Sequence, residues 1–365
     1  MGCLTVIEPN LSGPAGHYAE FVSAIASALD PAHSIRVLAS SLASPDILAD
    51  ARSVSVVPAI NPRRKRRDEF EVLSAANASK DPFLVLTARF TDVLMLEAVA
   101  RRTGVVPEHA NLYFHWREST LLRRSLISAC PIVRRCAVAI APTSVTAEHL
   151  RRTGWKRVHC VPYPARRVAT QESSPPFRHL LVAGAVRANK GIEHVADALP
   201  ELMRRGCCPR LIIQTTRKRL NGREGSRERR AIDRIEATGY PALTLDPEAP
   251  DSLRYDARFR GALTLTPYDP IKFSDNVSGI ALDALLRGSP VVATAGTWQA
   301  GLIERFGAGR VMDAWDGMTL AACIESSLER WADLCAAARA AACVLANEHD
   351  PSHLNQVLFQ GQRPD

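Results

Sequence analysis

The chain of 365 residues is 46% hydrophobic and 23% charged, a composition typical of soluble globular proteins that excludes the disordered and fibrous classes. It is long enough for two domains, since single domains usually hold about 100 to 200 residues. The formal net charge is +8, which suits a protein whose ligand carries a diphosphate.

The amino-terminal segment MGCLTVIEPN lacks a basic region followed by a long apolar stretch, so no secretory signal is predicted. No apolar run of about 18 residues occurs in the sequence, and we expect no membrane-spanning helix. The nine cysteines include no C-x-x-C pair, a pattern that favours a reduced compartment over disulfides or a zinc site. Together these features predict a cytoplasmic protein.

Short apolar runs alternate with amphipathic segments of helical length through the first half of the chain. The apolar runs are, in chain order, LTVIEP, SIRVLAS, SVSVVPAI, FLVLTARF, NLYFHW, CAVAIAPT and RVHCVPYP. This alternation indicates parallel βαβ units. It predicts a doubly wound, Rossmann-like domain over residues 1–168.

A basic run, PRRKRR, extends from Pro62 to Arg67 and is followed at once by Asp68, Glu69 and Glu71. This mixture of signs favours a solvated loop, and we expect no nucleic-acid partner. Peripheral contact of Arg63–Arg67 with anionic lipid is the alternative, because each surface cation near such a membrane contributes about 1 kcal/mol.

Pro, Ser and charged residues replace the apolar rhythm at residues 169–177, which we interpret as a linker. Strand-like runs then resume as HLLVAGAV, PRLIIQTT, ALTLD, GALTLTPY, SPVVATA and GRVMD, and predict a second Rossmann-like domain over residues 178–335. The predicted fold class is α/β, with two doubly wound domains that face each other across a ligand cleft. Residues 336–365 are predicted to form a closing helix that can pack back on the first domain, and a tail that frays after Asn347.

The stretch DNVSGIALDALLRGSPVVAT, residues 275–294, is predicted to contain a loop, a helix and a buried strand. We expect the helix to start close to Asn276 and to run to Arg287, with Gly288 as its stop. The strand GALTLTPY precedes the loop, so the first turn of this helix would present N–H groups and the positive end of its dipole at the ligand edge of the sheet. Such a helix start binds phosphate.

Two aspartates mark this segment. Asp275 can act simply as the helix cap. Asp283 shares a helix face with Asn276 and Gly279, among apolar residues where an unpaired carboxylate is costly. Its carboxylate can accept two hydrogen bonds from a vicinal diol, such as the 2′ and 3′ hydroxyls of a ribose. We therefore expect a nucleotide to extend along this helix.

Two carboxylates separated by seven residues, on a helix followed by G-x-P-V-V-A-T, resemble the E-x7-E signature of the family 4 retaining glycosyltransferases of GT-B fold. LVAGAVRANKGIEHVADAL is similar to the G-x-R-x-x-K-G segment that opens the second domain of that family. PTSVTAEHLRRTGWKRVHCVPYP resembles the close of the first domain, and GTWQAGLIERFGAGRV resembles the segment after the second carboxylate. The resemblance covers most of the chain and implies a hexosyltransferase that uses nucleotide sugars.

The resemblance assigns Arg187 and Lys190 to the cation pair that grips the donor diphosphate, whose negative charge grows as the glycosidic bond breaks. Lys190 lies at a predicted helix start, where the helix dipole disfavours a cation. A lysine at this position therefore favours a functional role. Gly16 matches the glycine of the first βα loop, although a plain turn also explains it. His115 matches the histidine near the hydroxymethyl end of the donor sugar, and a buried, satisfied imidazole is the alternative.

By the same resemblance Asp275 would contact hydroxyls of the transferred sugar, and Asp283 would contact the ribose. Both family positions are usually glutamate, so the shorter side chain requires a closer backbone or a bridging water. The remaining donor-binding residues implied are Asn276, Val277, Ser278 and Gly279.

The resemblance implies a retaining transfer from a nucleotide sugar to an acceptor hydroxyl by front-face attack, and the sequence offers no evident general base. No D-x-D pair lies beside the site, so we expect neither a metal nor a cofactor. Family frequency favours a UDP-sugar over a GDP-sugar, and the acceptor, a small molecule, glycan or lipid-linked compound, stays open. Two alternatives remain. A nucleotide-sugar 2-epimerase would need acid and base residues that the sequence does not place, whereas the two aspartates favour a non-catalytic nucleotide-sugar-binding relative.

Overall fold

A computed structural model describes residues 2–14, 16–51, 53–117, 120–168, 175–215, 226–248 and 252–359. The chain divides into two compact units. Unit 1 contains Met1–Arg167 and His349–Asp365, and unit 2 contains Val168–Glu348. Most of the predicted linker, residues 169–174, lies outside the described residues.

Unit 1 is built on a parallel sheet of seven strands in the order β3-β2-β1-β4-β5-β6-β7. The strands are β1 (Gly2–Glu8), β2 (His33–Ser40), β3 (Val54–Ile60), β4 (Phe83–Val85), β5 (Ala110–Tyr113), β6 (Val138–Ala141) and β7 (Arg157–Cys160). The helices are α1 (His17–Ser27), α2 (Lys65–Ser79), α3 (Phe90–Thr103), α4 (Leu121–Ser128), α5 (Pro131–Cys136) and α6 (Ser144–Arg152), with a 3-10 turn at Pro45–Leu48. Every residue of β4, β5 and β6 is buried, which explains the continuous apolar sequences of β4 and β6. The buried amide of Asn111 in β5 donates to Phe83 O at 3.2 Å.

Unit 2 is built on a parallel sheet of six strands in the order β10-β9-β8-β11-β12-β13. The strands are β8 (His179–Val182), β9 (Leu211–Gln214), β10 (Leu243–Asp246), β11 (Ala262–Thr266), β12 (Val291–Thr294) and β13 (Gly309–Met312). The helices are α7 (Ile192–Arg204), α8 (Arg227–Ala237), α9 (Ser252–Phe259), α10 (Gly279–Leu286), α11 (Trp298–Phe306), α12 (Gly317–Glu329) and α13 (Trp331–Glu348). All thirteen predicted strands are present. The predicted fold class, α/β with two doubly wound units, is confirmed.

The carboxyl-terminal segment differs from the prediction. The predicted boundary at 336 falls inside α13, which belongs to unit 2, and the chain returns to unit 1 at His349. A further helix, α14 (Ser352–Phe359), replaces the predicted frayed tail over its length because Leu354 and Leu358 are buried in the core of unit 1. The side-chain amide of Asn355 also donates to Ile25 O at 3.1 Å.

Within the described residues, every helix is too short or too polar to cross a bilayer.

Candidate functional site

The sheet of unit 2 changes its winding direction between β8 and β11. The chain proceeds outward from β8 through β9 to β10 on one side, and from β11 through β12 to β13 on the other. Open α/β sheets bind ligands at the carboxyl ends of strands at such a point. The two loops that leave this point, 183–191 and 267–278, are in contact, since Asp269 N donates to Asn189 O at 3.1 Å. A Cβ at Gly191 would lie 1.9 Å from Pro267 O, so the close approach requires glycine.

Lys190 lies at this winding point as the last residue of a short 3-10 turn. Its Nζ is 5.3 Å from the centroid of the Tyr268 ring. A Cβ at Gly184 would lie 3.3 Å from both Lys190 Nζ and Ile280 Cδ1, so the ammonium and the end of the Ile280 side chain lie beside the same glycine. Arg187 caps the same 3-10 turn and is exposed. In the part of the chain that the structure describes, neither cation has a carboxylate partner, and a half-buried ammonium without a counter-charge favours a nearby anion.

Helix α10 begins at Gly279, so the prediction of a start close to Asn276 is wrong. Ser278 caps the helix instead, because its Oγ accepts from Ala281 N at 3.3 Å. The interpretation of Asp275 as the cap is therefore also wrong. Asp275 lies in the preceding loop and is buried, with 7% of its surface exposed.

The segment before the helix folds on itself. Asn276 Nδ2 donates to Lys272 O at 2.5 Å, and Val277 is half-buried. A Cβ at Gly279 would meet nothing within 4 Å, so open space lies beside the first turn of α10. The helix ends at Leu286, and Gly288 adopts φ +68° as the predicted stop.

Asp283 lies one turn along α10 from Gly279, so the two residues share a helix face. Both of its carboxylate oxygens have donors. Arg287 Nη1 lies 2.9 Å from Oδ1, and the Tyr255 hydroxyl donates to Oδ2 at 2.7 Å. About a third of the Asp283 side chain, 32%, is exposed, and each carboxylate oxygen has a second lone pair. The carboxylate is thus held in one orientation while it can still accept hydrogen bonds.

The partner of Asp283 belongs to a larger cluster between α9 and α10. Arg287 Nε and Nη2 lie 2.9 and 2.6 Å from Asp256 Oδ1. Its guanidinium carbon is 5.3 Å from the ring centroids of both Tyr255 and Phe259. Arg287 is only 4% exposed, and the nearby carboxylates keep its pKa above the ordinary value although burial acts in the opposite direction.

Two predicted site residues lie in unit 1. Gly16 caps α1 with φ +109°, and nothing lies within 4 Å of the position of a Cβ. His115 follows β5, the strand next to β4, and its ring centroid is 6.4 Å from that of His17, the residue after Gly16. Aromatic rings of Phe21, Tyr113 and Tyr163 lie 4.8 to 5.9 Å from it.

Burial, reinforced by the nearby His17 ring, lowers the pKa of His115 to about 3. The imidazole is therefore neutral at pH 7. Its Nε2 lies 2.9 Å from Leu86 O, and a carbonyl oxygen can only accept, so Nε2 carries the proton. Nδ1 is then an acceptor. A satisfied imidazole and a ligand-binding histidine are thus compatible, because His115 is only half-buried and the Leu86 carbonyl occupies only Nε2.

Within unit 2 the structure brings Lys190 to the start of α10 and sets Asp283 one turn further along. The sequence reasoning missed three residues here: Gly184, Tyr255 and Arg287. The spacing of four between Asp283 and Arg287 is a helical ion-pair signal that was available in the sequence. Nothing in the sequence marked Tyr255, which belongs to another helix.

No family model and no curated protein matches the chain. Solved structures do match across its whole length. The sucrose-phosphate synthase of Thermosynechococcus elongatus is 14% identical with a TM-score of 0.73, and the match covers 99% of this chain and 100% of that one. Anabaena HepE in complex with UDP and glucose is 13% identical with a TM-score of 0.71, and 99% of each chain is covered. A glycosyltransferase of Rickettsia africae is 10% identical with a TM-score of 0.70, and the match covers 100% of this chain and 99% of that one. The chain therefore has the fold of these two-domain glycosyltransferase structures.

Proposed function

We propose that the protein is a glycosyltransferase that moves a sugar from a nucleoside diphosphate to an acceptor hydroxyl, with retention of configuration at the anomeric carbon. The likeness to the HepE structure, whose ligands are UDP and glucose, favours a UDP-sugar as donor. The alternatives of a 2-epimerase and of a binding protein without activity predict different products, so one assay separates them.

The position of Lys190 carries this proposal. Its ammonium lies near Gly184 and the Tyr268 ring at the winding point of the sheet, and the side chain of Ile280, from the first turn of α10, approaches the same glycine. Helix N–H groups and a cation can hold the same anion at such a place. A diphosphate leaving group matches this combination, because its charge increases as the bond to the sugar breaks. Arg187, exposed at the cap of the same turn, supplies a second cation.

The other residues fit the two ends of such a donor. Open space beside Gly279 admits the nucleotide along α10, and Asp283 accepts hydrogen bonds from the ribose hydroxyls. Asp275 contacts the transferred sugar after a shift of its loop or through a bridging water, because its side chain is buried. In unit 1, His115 Nδ1 accepts a hydrogen bond from a sugar hydroxyl. Gly16 has no side chain and open space around its Cβ position, so the protein backbone there can approach the ligand.

The chemistry follows from these roles. The acceptor oxygen bonds to the anomeric carbon on the face from which the diphosphate departs, the carbon–oxygen bond to the diphosphate breaks, and the departing oxygen takes the acceptor proton. Lys190 and Arg187 stabilise the charge on that oxygen, so no protein base and no metal is required. Turnover is expected to persist in excess chelator; loss of turnover would remove metal independence from the proposal.

The test is a screen of nucleotide sugars by thermal shift, followed by product analysis. A bound donor raises the unfolding temperature because it stabilises only the folded state. Release of a nucleoside diphosphate identifies a transferase, a changed donor sugar identifies an epimerase, and binding without either product identifies a binding protein. Lys190→Ala should lower kcat by about 10²- to 10³-fold, the loss seen when one charge-stabilising group is removed. Arg204→Ala is the matched control, because Arg204 is 71% exposed at the far end of α7.

A separate proposal concerns the basic run. Arg63, Arg64, Arg66 and Arg67 are all exposed at the start of α2, and we propose that they contact anionic lipid. Sedimentation with vesicles that contain phosphatidylserine should exceed that with neutral vesicles and fall with salt. Equal sedimentation with both kinds of vesicle would contradict this contact.

A further inference from the structure

Strand β9 is the neighbour of β8 on the side away from the winding point of unit 2, and it ends at Gln214. The register pairs Val182 of β8 with Ile213 of β9, so Gln214 lies beside the start of the loop that follows β8. Thr215 N donates to Asp246 O at 2.8 Å, so the chain is still held against β10 directly after Gln214. Gln214 therefore has a fixed position at the ligand edge of the sheet.

The side chain of Gln214 binds the backbone of Gly184, the second residue of that loop. Gly184 N donates to Gln214 Oε1 at 2.8 Å. Because a backbone N–H can only donate, the amide oxygen must face Gly184 and the amide nitrogen must point elsewhere. Gln214 is half-buried, and its Nε2 has no acceptor among the residues that the structure describes. The two N–H donors of Nε2 can therefore bind a ligand.

Gly184 connects this amide to the proposed diphosphate site. Its φ is +80°, a conformation that favours glycine. The position of a Cβ on Gly184 lies 3.3 Å from Lys190 Nζ, while the N–H of the same residue is bound by Gln214. One glycine thus has a cation on one side and a neutral hydrogen-bonding amide on another.

A diphosphate offers several acceptor oxygens to the groups around it. Lys190 supplies a point charge on a flexible stem, whereas the amide of Gln214 is held in one orientation by Gly184. A donor that is oriented before the ligand arrives binds it at a lower entropy cost. Hydrogen bonds to an ionised acceptor are roughly twice as strong as those between neutral groups, so an anion is the ligand that gains most from Nε2.

We infer that Gln214 is a further residue of the donor site, whose Nε2 donates to the diphosphate of the nucleotide sugar beside Lys190. The identity of this anion rests on the proposed function. Gln214 then has two separate tasks: Oε1 holds Gly184 at the start of the loop, and Nε2 binds the ligand. The alternative is a purely structural residue, for which only the hydrogen bond at Oε1 matters.

Two substitutions separate these tasks in calorimetric titrations of the full chain with UDP. Gln214→Glu keeps an acceptor for Gly184 N but replaces the N–H donors with a negatively charged oxygen. Gln214→Lys keeps donors and loses the acceptor. We expect Gln214→Glu to bind UDP about a hundredfold more weakly than the parent, because a charged hydrogen bond is lost and a like charge is added. Gln214→Lys should stay within about threefold of the parent, since its ammonium can replace the amide donors.

A purely structural Gln214 predicts the reverse order. Gln214→Glu would then bind UDP as well as the parent, or better than Gln214→Lys, and either result would overturn the inference. Gln356→Glu and Gln356→Lys are the matched controls, because Gln356 is exposed on α14 in unit 1 and the net charge changes by the same amount. Both should bind UDP within twofold of the parent. An equal loss in Gln356→Glu and Gln214→Glu would also overturn the inference, since net charge alone would explain it.

Three further measurements keep the outcomes separate. The midpoint of urea unfolding shows whether Gln214→Glu is folded; if it is not, Gln214→Lys decides alone, and a tenfold loss in that variant would overturn the inference. Inorganic pyrophosphate should follow the same order of variants as UDP, whereas unchanged pyrophosphate binding in Gln214→Glu would contradict a contact with the diphosphate. If the parent protein bound neither UDP nor GDP, the proposed function would fail together with this inference. Equal UDP binding by the parent and Gln214→Glu would remove the inference alone.

Discussion

Arg287, the residue directly after helix α10, has its Nη1 2.9 Å from Asp283 Oδ1, and the same guanidinium binds Asp256 of helix α9. One buried arginine thus joins two carboxylates, of which Asp283 is the residue proposed to bind the ribose. The carboxylate of Asp283 is oriented before any ligand arrives, which lowers the entropy cost of binding.

Arg287→Ala should destabilise the protein by about 3 kcal/mol, because removal of one partner from a buried ion pair leaves charges without compensation. Arg330→Ala is the control: Arg330 pairs with Asp333, and both side chains are more than half exposed, so its loss should cost less than about 1 kcal/mol. Urea unfolding measures both. Equal losses would mean that the Arg287 cluster contributes no more than a surface pair.

Asp283→Asn should weaken UDP binding about tenfold, since charge-assisted hydrogen bonds to the ribose hydroxyls are lost. Asp256→Asn removes the other carboxylate from Arg287 but should leave UDP affinity within twofold of the parent. Calorimetric titration with UDP distinguishes a ligand-binding aspartate from a structural one. If both variants weakened UDP equally, Asp283 would act only through Arg287.

Gly191→Ala should destabilise unit 2 by several kcal/mol more than Gly206→Ala. Both glycines have nearly the same positive φ, +74° and +72°, and they lie at opposite ends of α7. A Cβ at Gly206 meets nothing within 4 Å, whereas one at Gly191 would lie 1.9 Å from Pro267 O. Gly206→Ala should therefore lower the free energy of unfolding only by the backbone strain of about 1 kcal/mol. The difference between the unfolding midpoints of the two variants then measures the effect of the contact between the two loops. Similar midpoints would show that loop 267–278 can move aside.

The lowered pKa of His115 should make the free energy of unfolding decrease at acidic pH. Its pKa in the folded protein is about 3, below the ordinary 6.5, so between these values the unfolded chain binds a proton that the folded chain does not. Stability contributed by the neutral ring is complete above pH 6.5 and is lost as the pH falls towards 3, by at most about 1.4 kcal/mol per pH unit.

His115→Gln keeps a donor for Leu86 O but cannot titrate in this range. Unfolding free energies measured from pH 7 to 5 should therefore decrease less in the variant than in the parent, while the other histidines contribute equally to both. Parallel pH profiles would indicate that the ring is protonated as readily in the folded state as in the unfolded one.

The alternation of strands and helices was evident in the sequence, because burial on both faces of a parallel strand requires a continuous apolar run such as VAIA in β6 or VVA in β12. The stop at Gly288 was also predictable, since a left-handed residue after a helix strongly favours glycine. Local chemistry determined these features.

The start of α10 could not be placed from the sequence in the same way. Asn276 and Ser278 both suit a cap, but the Asn276 side chain donates to Lys272 O, whereas Ser278 Oγ accepts from Ala281 N at the first helical turn. The helix α14 was missed because the burial of Leu354 and Leu358 depends on a core built by residues between Leu4 and Val161, far away in the sequence.

The amino-acid sequence by itself determined the fold class and nominated Lys190, Asp275, Asp283 and His115. Only the tertiary structure decided their surroundings: Lys190 beside Ile280, Asp283 between Tyr255 and Arg287, and His115 with one nitrogen bound to Leu86 O. The physical reason is distance along the chain. Strand and helix propensities depend on neighbours a few residues away, whereas burial, ion pairing and pKa depend on groups that meet only after the sheets have formed.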